Sequence, residues 1–144
     1  MLEEMGVREP PVPDSFIYFV DPSRPVDVIR EPLSRRTRGA TMLAPHGSEW
    51  RVVLKANDRV EVRRFTLAHE AFHIACGTGL AFRRDGMGEF YECSLADHFA
   101  SNLLISREWL RTSEATANLV ARRCMVSMAC ANRAMGRPQR GNDL

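Results

Sequence analysis

The chain has 144 residues, of which 44% are hydrophobic and 26% charged, with a formal net charge of +2. That length suits a single domain able to bury a core without staples, and the composition is that of an ordinary globular protein. So small a net charge makes no case for nucleic acid by itself, although seven arginines follow Ser106 (Arg107, Arg111, Arg122, Arg123, Arg133, Arg137, Arg140) against only Glu108, Glu114 and Asp143.

Met1 to Pro13 holds acids and prolines rather than a basic segment followed by an apolar run, so no signal peptide is expected. Residues 1–15 read as an extended or poorly ordered leader, and 16–144 as one domain. Phe16–Val20 is an apolar run of open type, closed by Asp21-Pro22. Val26–Ile29, Gly39–Leu43 and Trp50–Leu54 are expected strands, with a turn at Pro45-His46-Gly47-Ser48 between the last two. The period then changes. Phe65, Ala68, Phe72, Ala75 and Cys76 recur at helical spacing until Gly77 and Gly79 stop the helix. Residues 81–90 read as a Gly- and charge-rich loop. A second helix is expected from Tyr91 to Ile105, burying Leu95, Ala96, Phe99, Leu103 and Leu104. Helices at 107–111, from a Ser113 cap to Met125, and from a Ser127 cap to Met135 complete a C-terminal helical region over 107–136. A sheet followed by helices is α+β. The four cysteines, Cys76, Cys93, Cys124 and Cys130, form no CxxC pair. A reduced, cytoplasmic setting is expected, with no membrane partner.

The segment His69-Glu70-Ala71-Phe72-His73 carries the chemistry. Histidines at i and i+4 project from one helix face toward a common ion. Glu70, adjacent in sequence, is placed to take a proton from a water on that ion rather than to bind the ion itself. This is the logic of HExxH hydrolases. One zinc ion is the expected cofactor, and Glu70 the expected general base. A catalytic zinc takes three protein ligands and keeps one position open. Position 79 is Gly, so no third histidine follows at metzincin spacing, and the next helix is the natural source of the third ligand.

Two stretches carry a family resemblance: Arg64-Phe65-Thr66-Leu67-Ala68-His69-Glu70, and Ala96-Asp97-His98-Phe99-Ala100-Ser101-Asn102-Leu103-Leu104. Together with Val52-Val53-Leu54, Asn57, Val126-Ser127, Ala131 and Arg133, they resemble the ImmA/IrrE metallopeptidases over residues 39–136. The resemblance implies a small mixed or antiparallel three-stranded sheet packed against a zincin-type HExxH helix. It also implies a Glu ligand on the second helix, four residues ahead of an Asp or Asn that supports a metal-binding histidine. Asp97 fits the supporting role. Four residues before it stands Cys93, where the family has Glu. A thiolate is a competent zinc ligand, and helix geometry favours Cys93 over Glu92, which falls off the Asp97 face. Phe72 stands where the family usually has Gly, and either narrows the cleft or fills the core. Arg83, Arg84 and the Gly86/Gly88 loop are read as solvated. His46 and His98 are expected at the surface, and Cys76 in the core.

The resemblance further implies a zinc endopeptidase whose protein substrate is a helix-turn-helix repressor encoded nearby, with the strand at 50–54 holding the substrate backbone. Two alternatives stand beside it. One is a DNA- or protein-binding module built on the helix-turn-helix-like segment Ala121–Met135, although without a strongly basic recognition helix that segment reads as core packing and direct nucleic-acid binding is disfavoured. The other is a degenerate member that keeps its zinc without turnover.

Overall fold

The computed structural model describes residues 2–77, 86–111 and 115–136, with residues 86–93 described by backbone alone. The expected sheet forms from β1 (Val26–Glu31), β2 (Gly39–Leu43) and β3 (Trp50–Lys55), in the order β1-β3-β2. It is mixed: β1 runs parallel to β3, with Val28 beside Val52, and β2 runs antiparallel to β3, with Thr41 beside Val52. The 3-10 turn Pro45–Gly47 closes β2 onto β3, with His46 and Gly47 both at positive φ.

β3 is therefore the central strand. Its apolar run needs no polar alternation because it is covered from both sides: Trp50, Val52, Val53 and Leu54 are all buried. Both edges of β3 are hydrogen-bonded to neighbours, so it cannot accept a substrate backbone. The expectation that residues 50–54 do so is corrected, and the open edges belong to β1 and β2.

The helices are α1 (Val60–Cys76), α2 (Gly86–Leu104), α3 (Arg107–Leu110), α4 (Ala117–Cys124) and α5 (Met128–Ala134). α1 lies against β2 and β3, α2 packs along α1, and α5 joins α4 to α2. Gly77 ends α1 in the left-handed conformation, where a Cβ is strained, and its N–H closes on the last turn. α2 begins at Gly86, five residues before the expected start, so Gly86 and Gly88 are helical. α4 is capped by Thr116, whose hydroxyl accepts from the Leu119 N–H at 3.2 Å. Ser113, expected in that role, lies outside the described residues. Ser127 does cap α5, accepting from the Cys130 N–H at 3.0 Å.

Several burial expectations change. Phe16 and Ile17, in a 3-10 helix over Asp14–Phe19, are almost completely buried, and Val12, within the segment read as a leader, is fully buried. Leu2, Met5 and Val7 also pack against the core. Leu95 is 40% exposed, and Cys76 is exposed at the end of α1. The face that α1 buries runs through Arg64, Leu67, Ala68, Ala71 and Ile74, one step round from the stripe that apolar residues alone suggest.

Arg64 is that face's unusual member, 5% exposed in its side chain. Its guanidinium donates to the Cys124 carbonyl at 3.2 Å, the Met125 carbonyl at 3.1 Å and Asp14 Oδ1 at 2.7 Å. Met125 holds the left-handed C-cap of α4 at φ 54. The carbonyls that a helix end leaves without partners are thus satisfied by a cation on another helix. No helix among the described residues is long and apolar enough to cross a membrane.

Arg64→Met removes the donor and strands two carbonyls in the interior, a loss of about 2–4 kcal/mol in urea unfolding. Asp14, 60% exposed, is largely solvated without its partner, so Asp14→Asn costs at most about 1 kcal/mol in the same assay.

Candidate metal centre

α1 presents its second face to β2 and α2, and the HExxH residues lie there. His73 is fully buried, Glu70 is 3% exposed and His69 is 17% exposed in its side chain. The two imidazoles meet edge on: His69 Nε2 and His73 Nε2 are 3.2 Å apart, with ring centroids at 5.1 Å and planes inclined by 58°. Two nitrogens bound about 2.0–2.1 Å from a tetrahedral zinc stand about 3.3–3.4 Å apart, so the pair already has the separation of two ligands of one ion.

α2 supplies the group that orients one ring. Asp97 Oδ1 lies 2.7 Å from His69 Nδ1. A proton donated from Nδ1 to that carboxylate leaves the Nε2 lone pair of the neutral ring directed at the common point. Sequence reasoning left open which histidine Asp97 supports, and the structure pairs it with His69.

β2 supplies the group that orients Glu70. Thr41, 1% exposed, donates its hydroxyl to Glu70 Oε2. One residue pair away, an added Cβ on Gly39 would lie 2.6 Å from Thr66 Cγ2, so β2 and α1 approach as closely as they do only because position 39 is glycine. Positions 39 and 41 on the strand thus meet positions 66 and 70 on the helix. The match is metric: two strand residues advance about 6.7 Å and four helical residues about 6.0 Å. Thr41 and Gly39 are site-building residues that sequence reasoning missed. Their signal, a Gly-x-Thr step opposite a Thr-xxx-Glu step, is visible only once β2 is known to lie on α1.

Phe72 fills rather than blocks. Its ring lies 5.8 Å from that of His73, edge to face, and 5.8 Å from that of Phe99, so it packs the α1–α2 seam beside the buried imidazole. His46 and His98 are exposed, as expected.

The donors fit a zinc ion as far as the pair goes. Among the described residues no group of three His, Cys, Asp or Glu side chains is assembled. Both expected sources of a third ligand, Cys93 and Glu92, have only their backbone described, in α2, where Cys93 stands one helical turn before Asp97. Arg83 and Arg84 lie outside the described residues. Cys76, Cys124 and Cys130 are free thiols. Burial pushes the Cys124 thiol up to about 11 and also raises that of Cys130.

An α+β domain that brings two imidazoles of one helix within 3.2 Å of each other, with a buried glutamate on the same helix, is metallopeptidase-like. The chain belongs to the family described as the IrrE N-terminal-like domain, a peptidase family whose model matches residues 23–134. No curated protein matches the chain. Among solved structures it is similar to a Mycobacterium tuberculosis transcriptional regulator, at 19% identity and a TM-score of 0.60 over 99% of this chain. The chain spans 46% of that protein's length, and the likeness is one of fold.

Replacing Asp97 by Asn removes the carboxylate that fixes the His69 tautomer. Zinc affinity, measured by competition with a chromogenic chelator, should fall about 10–100-fold while the unfolding midpoint of the metal-free protein changes little. Native alkylation should modify Cys76 rapidly and leave Cys124 and Cys130 intact until denaturant is added, because both are buried and neutral. Mass spectrometry of peptides after iodoacetamide treatment checks the order.

Proposed function

We propose that the chain is a zinc-dependent endopeptidase acting on a protein substrate, a helix-turn-helix transcriptional repressor encoded nearby, as the family resemblance implies. The observation that carries this reading is the pair of Nε2 atoms 3.2 Å apart, with one ring oriented by Asp97 and Glu70 buried on the same helix. His69, His73 and Cys93 would hold one zinc ion. Zinc, when bound, supplies Lewis acidity and lowers the pKa of a coordinated water to about 7.

The rest is the work of the chain's own groups. Thr41 holds one oxygen of the Glu70 carboxylate, so the side chain has a fixed direction in which to accept a proton from the attacking water and return it to the departing amine. Asp97 holds the His69 ring by its Nδ1. β2 offers the substrate its backbone. The Ala44 N–H donates to the Glu49 carbonyl and the Lys55 N–H to the Arg38 carbonyl. The even-numbered positions of β2 therefore direct their peptide groups at β3, and Gly39, Thr41 and Leu43 direct theirs at the open edge. An extended peptide added along that edge passes beside the residue that orients Glu70.

A regulatory role is supported by the family resemblance and by the similar fold of the Mycobacterium tuberculosis transcriptional regulator. The DNA-binding alternative has less support. The α4–α5 turn is held from beneath by Arg64, and Ala121, Cys124, Val126, Cys130 and Ala131 face the core.

Purified protein should bind one zinc per chain by atomic spectroscopy. Cys93→Ala should lose most of it, whereas loss on Glu92→Gln instead would transfer the third ligand to Glu92. Wild type should cleave the repressor of a neighbouring gene, and Glu70→Gln should be slower by about 10²–10⁴-fold with its zinc retained. Equal behaviour of wild type and Glu70→Gln on every candidate repressor defeats the peptidase reading and leaves the degenerate, zinc-holding one.

A further inference from the structure

Behind Asp97, on the side where α2 meets α3 and α5, lies a cleft of about 370 Å³ lined by Asp97 and His98 but not by His69, His73 or Glu70. We propose that this cleft is a second binding site, which takes the carboxylate or phosphate group of a small organic anion between Arg107 and Arg133.

Its volume is that of a small-molecule site. Arg107 reaches it from the first residue of α3 and Arg133 from α5, so two cations on separate helices line one concavity. Neither forms an ion pair among the described residues. Two guanidinium groups brought to one cleft repel each other. An anion between them replaces that repulsion with two attractions and accepts paired N–H donors in the geometry that carboxylate and phosphate oxygens match.

The wall on α2 suits the same ligand. Asn102 brings an amide, a neutral donor, Ser101 a hydroxyl that also contacts Cys130 Sγ at 4.0 Å, and Ile105 gives apolar surface for the stem that carries the charge. Asp97 is the one carboxylate in the lining among the described residues. It is engaged by His69 Nδ1 at 2.7 Å, and its remaining charge sets the anion toward the arginine side of the cleft. The site therefore has an orientation, with the charged group against α3 and α5 and the stem toward α2.

The test uses the full chain without added metal, so its result does not depend on the peptidase reading. Inorganic phosphate and, separately, acetate are titrated at constant ionic strength set with chloride, and backbone and arginine Nε signals are followed by 1H–15N NMR. Saturable shifts confined to Ser101, Asn102 and the arginines are expected with at least one probe, and the stronger probe identifies the preferred group. Arg107→Gln and Arg133→Gln should each weaken binding at least tenfold. Arg107 is exposed, so its variant keeps the test valid even if Arg133→Gln unfolds. Unsaturable shifts with both probes, shifts reproduced by chloride alone, or unchanged affinity in Arg107→Gln overturn the proposal.

Discussion

A charge buried at the start of a helix constrains everything downstream of it. Arg64 cannot leave water without partners, and its partners come from two distant parts of the chain: Asp14 before the sheet, and the Cys124 and Met125 carbonyls at the end of α4. One guanidinium thereby fixes the rotation of α1 about its own axis. That rotation decides which residues face β2 and α2, and those are Thr66, Glu70, His69 and His73. Turned by one position, α1 would present Ala68 and Phe72 where the imidazoles now stand.

The candidate centre is assembled from three elements, each with a different task. α1 brings the two histidines and the glutamate, β2 brings the hydroxyl that holds Glu70, and α2 brings the carboxylate that holds His69. The orienting groups come from two different elements, so His69 and Glu70 do not rely on their own helix for direction. This division explains the close packing on both sides. Gly39 lets the strand approach, and Phe72 with Phe99 seals the seam where the second helix approaches.

Much of this was legible in the residues. All three strands fell within two residues of their expected bounds, because β-branched runs between prolines and turn residues leave few alternatives. His69, Glu70, His73 and Asp97 are singled out by i, i+4 spacing and family likeness, and the structure brings His69 beside His73 and Asp97. Strand order was not legible, since pairing in a three-stranded sheet is set by long-range contacts that local pattern does not encode. Trp50–Lys55 consequently looked available when it is enclosed. Burial of polar residues was equally hidden: apolar periodicity points to Ala75 and Cys76, whereas the helix buries Arg64, Thr66 and Glu70. Thr41 and Gly39 act through a strand-to-helix contact across some 30 positions of sequence, and nothing in either segment announces it.

The position of the histidines along α1 has an electrostatic consequence. Gly77 ends the helix four residues beyond His73, so that imidazole stands on its last turn, where the aligned peptide dipoles leave partial negative charge. A cation drawn to the two rings gains from that field, by an amount of about 0.3–1 kcal/mol at an exposed helix end and more where water is excluded. An anion at the same point meets the opposite field. The backbone thus adds a preference of sign to the preference of geometry that the side chains provide, and it does so without another charged residue.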